Sequence, residues 1–294
     1  MNVLRFLPGP AKGCLSLVLI FFNTVFFCIP LYVTALVRAL LPASYEPACT
    51  RFSMAAAENW ISVNNIIIDT FQNLTVTVTG EPELSRDRWY LVICNHQSWT
   101  DILILQRLLN RKIPFLKFFI KQELIYTPII GLCWWVLDFP IMKRYSRDKL
   151  RKNPHLKGKD LATTLKSAEK FKLTPVSVLN FLEGTRFTKE KQEKQKSPYQ
   201  RLLKPKSGGA AMVVDSLKDH LDSILDVTIA YKQRTPTFFE FLCGHKPEIF
   251  FTIDQIPVPA EISANSISSA KATQHWIADR WQNKDNLLSE LLGR

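Results

Sequence analysis

The feature that most constrains the fold is a regular alternation, from about residue 74 onward, between short strand-like runs and helical stretches. LTVTVTG alternates strictly between apolar and polar residues, whereas WYLVIC is an uninterrupted apolar run typical of a buried strand. An amphipathic stretch, DILILQRLLN, follows WYLVIC after a short polar segment. Strands that alternate with helices predict an α/β domain with a mainly parallel central sheet flanked by helices.

The same pattern continues to the end of the chain. Further strands are predicted at PFLKFFI, DFPIMKR, PVSVLNF, SILDVTIAY and EIFFTI. Further helices are predicted at PIIGLCWWVL, at DLATTLKSAEKFK with Asp160 as its cap, at SGGAAMVVDSL, and from about Lys271 to Leu292. No internal repeat or linker divides this region.

An apolar segment precedes the domain. Cys14 to Val37 contain no acidic or basic side chain, and as a helix they are long enough to cross a hydrocarbon core of roughly 30 Å. The apolar region of a secretory signal peptide is only about 7 to 15 residues long, so an uncleaved membrane helix is favoured. Pro30 is expected to kink it.

A second helical stretch, ENWISVNNIIIDTF, repeats apolar residues at Trp60, Val63, Ile67 and Phe71. It fits either a helix on the membrane surface or a core helix of the domain, and the sequence does not choose between them. We therefore predict a membrane-embedded N-terminal unit over residues 1–72 and the α/β domain over residues 73–294. The basic residues that flank the apolar segment do not fix its orientation.

The net charge of +12 favours anionic partners, which include nucleic acid, phosphorylated small molecules and acidic membrane surfaces. The basic run from Lys189 to Lys206 contains one aromatic residue, Tyr199, and no nucleic-acid-binding signature is present. Six cysteines show no spacing typical of a zinc site or a disulfide framework, so reduced thiols on the cytosolic side are expected. No metal site is predicted.

Three polar clusters follow predicted strands, where α/β sheets collect their ligand-binding groups. They are NHQSWTD, the pair Lys143 and Arg144, and EGTR from Glu183 to Arg186. His96 is a candidate general base with Asp101 as its partner, provided that the histidine lies in the turn before the helix. The alternative is that Asp101 only caps that helix.

EGTR suits an anionic ligand. Gly184 lets the backbone approach a ligand closely, and the planar guanidinium of Arg186 matches phosphate. Glu183 is placed either to fix that guanidinium or to contact a substrate hydroxyl. In isolation, this cluster and the Lys143–Arg144 pair would each be read as solvated surface groups. The sequence contains no GxSxG serine elbow, so a covalent serine mechanism has no support. It contains no Walker motif either.

Taken in order, NHQSWTD, FPIMKR, FLEGTRFTKEK and DVTIAY resemble the four sequence blocks of the glycerophospholipid acyltransferase family, which includes the lysophosphatidic acid acyltransferases. FLEGTRFT and DVTIAY are most similar to the lysocardiolipin acyltransferase branch. The resemblance implies transfer of an acyl chain from acyl-CoA or acyl carrier protein to the free hydroxyl of a lysophospholipid, with lysophosphatidic acid as the leading acceptor. It implies no resident cofactor.

The resemblance also implies roles for individual residues. His96 matches the catalytic histidine and Asp101 its partner, while Arg144 matches the arginine of the second block. Glu183, Gly184, Thr185 and Arg186 match the motif that binds the acceptor phosphate. Pro140 departs from the common second block, and Lys143 occupies a position that varies in the family, so the acceptor headgroup is the least determined feature.

Two other classes compete with this interpretation. A membrane-tethered basic module would bind anionic lipid or nucleic acid without catalysis, and His96 would then be dispensable. A phosphatase acting on phosphorylated lipids would need a nucleophile or a cluster of metal-binding carboxylates, which the sequence does not show. Because no second long apolar segment occurs, we expect a bacterial cytoplasmic-membrane protein with its site facing the cytosol and membrane lipid as a partner.

Overall fold

The computed structural model describes residues 3–72, 74–142, 169–172, 174–217, 219–245, 248–263 and 267–293. Its strands are β1 Val76–Thr79, β2 Trp89–Cys94, β3 Leu116–Phe118, β4 Ile120–Lys121, β5 Ile141–Met142, β6 Ser177–Phe181, β7 Leu221–Tyr231 and β8 Ile249–Pro257. Its α-helices are α1 Gly9–Leu40, α2 Glu46–Phe71, α3 Thr100–Leu109, α4 Gly131–Val136, α5 Lys189–Gln195, α6 Gly208–Leu217, α7 Phe238–Leu242, α8 Ala260–Ser263 and α9 Ile267–Leu291.

Six strands form the central sheet in the order β1-β8-β7-β2-β6-β3. All neighbouring pairs are parallel except β7 and β8, which are antiparallel. The α/β fold with a mainly parallel sheet is therefore confirmed. Because β2, β6 and β7 run side by side in one direction, the residues that follow their carboxyl ends meet at one edge of the sheet.

Strand β2 shows why the sheet is buried on both faces. Leu91 and Ile93 point into one hydrophobic cluster, which α6 and α9 cover. Tyr90, Val92 and Cys94 point into the opposite cluster, which α2, α3 and α7 cover. Successive side chains of a strand alternate between the two faces, so an uninterrupted apolar run fits a strand covered on both sides.

One predicted strand is divided. PFLKFFI forms β3 in the central sheet and then β4, which pairs with β5 in a separate two-stranded sheet. The chain leaves the first sheet because the Ile120 N–H donates to the Pro140 carbonyl, 3.1 Å away. The end of DFPIMKR, with Lys143 and Arg144, lies outside the described residues, as does the start of the helix expected from Asp160.

Side-chain hydrogen bonds join the two N-terminal helices to each other. Asn23 in α1 donates from its amide to the Asn64 amide oxygen in α2 at 2.8 Å. The Trp60 indole of α2 donates to the Thr24 hydroxyl of α1 at 3.1 Å. These bonds satisfy polar groups that would otherwise be costly at this interface.

Helix α2 connects α1 to the sheet. Its Ile68 lies in the hydrophobic cluster below β2, while its Ile61 packs with Leu31 of α1. The inner face of the second helical stretch is thus a core helix face, one of the two alternatives that its periodicity left open. The boundary between residues 72 and 73 stays a prediction.

Helix α1 presents an apolar outer surface. It is the one helix among the described residues that is long and apolar enough to cross a membrane, although length and composition alone give weak evidence of a span. Large apolar side chains are exposed along its outer side, including Phe21, Phe22, Phe26, Ile29, Val33 and Leu36. An exposed apolar surface of this kind marks contact with lipid or with another protein.

Candidate active site

The candidate site lies at the carboxyl ends of β2, β6 and β7. Asn95, directly after β2, donates from its side-chain amide to the Ile229 carbonyl at 2.8 Å and accepts from the Ile229 N–H at 2.9 Å. These two bonds tie the start of the NHQSWTD loop to β7. The loop therefore leaves the sheet in a fixed direction, which determines where His96 lies.

His96 lies in the turn before α3, which is the condition that its spacing from Asp101 required. Its Nδ1 is 2.9 Å from Asp101 Oδ2, and Asp101 is fully buried. The carboxylate partner assigns the proton to Nδ1 and leaves the lone pair on Nε2, the arrangement that a general base needs.

Asp101 also holds the loop before α3, but it is not the cap of that helix, because Trp99 occupies the N-cap position and makes no side-chain cap bond. Its Oδ2 accepts from the backbone N–H groups of Gln97 and Ser98 at 2.6 and 2.9 Å. Its Oδ1 accepts from the Tyr231 hydroxyl at 2.6 Å. Burial and the negative charge of Asp101 raise the pKa of Tyr231, so this phenol stays protonated and donates.

The ring and the backbone of His96 contact residues at and after the end of β6. Its ring stacks on Phe181 at the end of β6, with centroids 4.0 Å apart and an angle of 16° between the planes. Its carbonyl accepts from the Phe187 N–H at 2.7 Å. Its own N–H donates to Glu183 Oε1 at 2.8 Å. The histidine is thus fixed through its ring and both sides of its backbone.

Glu183 is buried and uses both carboxylate oxygens on backbone groups. Besides His96 N–H, it accepts the Leu203 N–H through Oε2 at 3.0 Å. Burial raises its pKa to about 7, and the two N–H donors oppose that rise. A raised carboxyl pKa means that this group's contribution to stability is complete below its unfolded value and is lost as the pH rises through about 7. The resemblance implied substrate binding, whereas this geometry gives Glu183 a bracing position.

The remaining residues of EGTR form a tight turn beside the histidine. Gly184 has a φ of +64°, and a Cβ there would lie 3.0 Å from Lys206 Nζ, so the turn favours glycine. Lys191 Nζ donates to the Thr185 hydroxyl at 3.0 Å and to the Arg186 carbonyl at 2.8 Å. The turn is therefore tied to α5, the helix that the basic run forms.

Arg186 lies on the accessible side of the site. Its guanidinium carbon is 5.2 Å from the centroid of the Trp99 ring, and that ring is half exposed. Trp99 immediately precedes α3, so the guanidinium is near the His96 turn. A cation over an indole face keeps its N–H edge directed outward, where it can meet an anion.

An apolar cavity of about 580 Å³ opens beside the same turn. Helix α1 contributes Leu31, α2 contributes Ala57 and Trp60, and α3 contributes Ile102 and Leu103. Trp99 lines it as well, so one side chain borders both the cavity and the Arg186 cluster. The volume is within the range of about 300–1,000 Å³ usual for ligand pockets.

Several parts of this site could not be predicted from the sequence. Tyr231 and Asn95 stood in motifs that were noticed, but nothing in their spacing showed that they would bind Asp101 and β7. The contributions of Leu203 and the cavity depend on residues far apart in the chain. Only the positions of Asn95 and Tyr231 at the ends of strands indicated that these two residues would lie near the site.

A model of the Acyltransferase family matches residues 75–232. Lysocardiolipin acyltransferase 1 from Danio rerio is 28% identical over 300 residues, which cover 95% of this chain and 71% of that protein. The 1-acyl-sn-glycerol-3-phosphate acyltransferase epsilon of Mus musculus is 25% identical over 77% of this chain and 65% of its own length. The chain thus spans about two thirds of these curated relatives. The crystal structure of the 1-acyl-sn-glycerophosphate (LPA) acyltransferase PlsC from Thermotoga maritima aligns with a TM-score of 0.49 and 19% identity, over 92% of this chain and 98% of that one.

Proposed function

This chain belongs to the acyltransferase family, and from that premise we propose that it transfers a fatty acyl chain from a thioester donor to the free hydroxyl of a lysophospholipid. The observation that carries the proposal is the His96–Asp101 pair beside Trp99, which lines the apolar cavity and whose ring centroid lies 5.2 Å from the Arg186 guanidinium carbon. Acyl-CoA or acyl carrier protein is the donor. Lysophosphatidic acid is the acceptor that the names of the relatives favour.

In the proposed reaction, Nε2 of His96 takes the proton of the acceptor hydroxyl as its oxygen attacks the thioester carbonyl carbon. A carbon–oxygen bond forms, and the carbonyl oxygen carries negative charge in the tetrahedral intermediate. Collapse breaks the carbon–sulfur bond, and the imidazolium returns the proton to the departing thiolate. Asp101 stabilises the imidazolium in between. The thioester is already activated, so these steps need no resident cofactor.

The cavity is the proposed site of the acyl chain. Its lining is almost entirely apolar, and each methylene removed from water there contributes about 0.8 kcal/mol. One wall of the cavity is formed by the two N-terminal helices, through Leu31 of α1 and Trp60 of α2. The outer surface of α1 is apolar as well. A chain drawn from a bilayer would therefore stay in apolar surroundings. We propose a membrane location on this basis.

Ala57→Phe is expected to shorten the preferred acyl chain. Ala57 is buried in α2 and lines the cavity, so a phenylalanine ring there would occupy space for several methylenes. We expect kcat/KM to fall more than about tenfold for long-chain donors and much less for short ones, because two excluded methylenes already cost roughly 1.6 kcal/mol. Ala55→Phe adds the same ring at an exposed position of the same helix and should leave the profile unchanged. A uniform loss over all chain lengths would contradict this assignment.

Arg186 is the proposed contact to the acceptor phosphate. A guanidinium makes paired, charge-assisted hydrogen bonds to phosphate, whereas lysine keeps the charge and loses the fork. We expect Arg186→Lys to raise the acceptor KM and Arg186→Ala to raise it further, with little effect on the donor KM. The resemblance adds Arg144 to the proposed substrate-binding residues, and the adjacent Lys143 is a further candidate; both lie outside the described residues.

The measurement for Arg186 is a two-substrate kinetic matrix with lysophosphatidic acid and with its uncharged monoacylglycerol analogue. The variants should lose efficiency on the phosphorylated acceptor and much less on the uncharged one. An equal loss on both acceptors, or a defect restricted to the donor, would remove Arg186 from phosphate recognition.

The proposed function as a whole is tested by incubating the purified full chain with labelled acyl-CoA, or labelled acyl carrier protein, and a panel of lysophospholipids. Formation of the diacyl product on at least one acceptor is the expected result. Binding of anionic lipid without product formation would favour the non-catalytic basic module instead.

A further inference from the structure

A segment over residues 199–206 connects the site to the C-terminal helix α9. Asp285 of α9 is buried and accepts two consecutive backbone N–H groups, those of Gln200 at 2.8 Å and Arg201 at 2.7 Å. Trp281, one turn earlier in α9, is fully buried, and its indole donates to the Leu203 carbonyl at 2.9 Å. Two side chains of one helix thus fix three neighbouring residues of the 199–206 segment.

Leu203 links the same segment to Glu183, and Lys206 adds a backbone bond from its N–H to the Leu182 carbonyl at 2.7 Å. While the Leu203 carbonyl is held by Trp281, the Leu203 N–H donates to Glu183 Oε2 at 3.0 Å. The other oxygen of Glu183 accepts the His96 N–H at 2.8 Å. Hydrogen bonds therefore run without a break from α9, through Leu203 and Glu183, to the backbone of the histidine.

We propose that Asp285 and Trp281 are positioning residues that hold His96 in its reactive place by fixing Leu203 beneath Glu183. This inference rests on the proposed role of His96. Neither side chain would touch a substrate, and both would act through the carboxylate of Glu183. The sequence gives no indication of the link, because residues 96, 183, 203 and 285 meet only in the folded chain.

The physical basis is the high cost of an unsatisfied buried carboxylate. Glu183 is shielded from water, so a lost N–H donor is not replaced by solvent. If the 199–206 segment moves, Leu203 withdraws from Oε2, and the carboxylate must shift to recover a partner. That shift weakens its bond to the His96 N–H. A displacement of about 1 Å at a reacting group can cost on the order of a hundredfold in rate.

The test compares variants of α9 in the full-length protein. Asp285→Asn leaves one acceptor oxygen for two N–H donors, and Trp281→Phe keeps an aromatic ring but removes the donor to Leu203. Asp279→Asn makes the first change at an exposed position of the same helix. Ile277→Ala removes buried apolar volume from that helix and serves as a control for lost stability.

For Asp285→Asn and Trp281→Phe we expect kcat to fall about tenfold, a partial misplacement on the scale above, with donor and acceptor KM changed less than about threefold. Asp279→Asn should match wild type. Ile277→Ala should lower the melting temperature at least as much as Asp285→Asn while changing kcat less than about twofold. Unchanged kcat in Asp285→Asn, or a kcat that follows melting temperature across all four variants, would overturn the proposal.

Hydrogen exchange separates this proposal from the proposed function. The peptide containing His96 should exchange faster in Asp285→Asn than in Ile277→Ala, whether or not the protein transfers acyl chains. If the two variants differ in this way but the wild-type protein transfers no acyl chain, the proposed function is refuted and the structural link stands. Equal exchange in the two variants, with an active wild type, would refute the link and leave the function standing.

Discussion

Replacing His96 with alanine is expected to lower kcat for acyl transfer by at least about a hundredfold, the usual contribution of a positioned general base. No other group in the described residues is bonded to Asp101 in a way that would let it take the hydroxyl proton. The Tyr231 hydroxyl, which does contact Asp101, is a donor with a raised pKa. The variant should remain folded, because the imidazole ring of His96 lines the site and belongs to neither of the hydrophobic clusters beside the sheet.

The measurement is single-turnover transfer together with a melting temperature. His275→Ala is a matched control, because His275 is exposed on α9 and should be dispensable. Phe181→Leu tests the stacked ring separately, and we expect it to slow transfer far less than loss of the imidazole does. Turnover within a few-fold of wild type in His96→Ala would end the proposed mechanism.

The fold could be predicted from the sequence because burial dictates residue type along a strand. The uninterrupted WYLVIC run predicted a strand covered on both faces, and β2 is covered by α6 and α9 on one side and by α2, α3 and α7 on the other. The division of PFLKFFI could not be predicted in this way. Its two halves are equally apolar, and the break depends on a partner strand that follows later in the chain.

The candidate site was predictable where one local turn contains both partners. The spacing of His96 and Asp101 predicted their contact if the histidine preceded the helix, and α3 begins at Thr100. Glu183 shows the opposite case. Its motif suggested a contact to substrate, but its carboxylate is buried and bonded to Leu203, whose carbonyl is held by Trp281 of α9, and no local pattern reveals these partners. The cavity was missed for the same reason, since α1, α2 and α3 each contribute only part of its wall.

Asp101→Asn is expected to lower kcat by up to roughly 10⁴, the loss found when the orienting carboxylate of a catalytic histidine becomes an amide. The amide is neutral and cannot stabilise the imidazolium. Its effect also depends on orientation, because an NH₂ group facing His96 would force the proton onto the wrong ring nitrogen. Unchanged turnover would leave Asp101 with a structural role only, as the acceptor for the loop before α3.

Tyr231 helps to determine which way that amide turns, which makes Tyr231→Phe the informative partner variant. With the tyrosine present, the asparagine NH₂ can donate to the phenol oxygen while its carbonyl keeps the contacts to His96, Gln97 and Ser98 that Asp101 Oδ2 makes. Without the tyrosine, that orientation is favoured only by the backbone N–H groups of Gln97 and Ser98, so its preference over the other orientation is smaller. We expect Tyr231→Phe alone to cost less than about tenfold in kcat, since it removes one hydrogen bond to a charged group.

The double variant should lose more than the product of the two single losses, because the two side chains share one contact. A double-mutant cycle of kcat measures this coupling, and strict additivity would show that Tyr231 has no part in orienting residue 101.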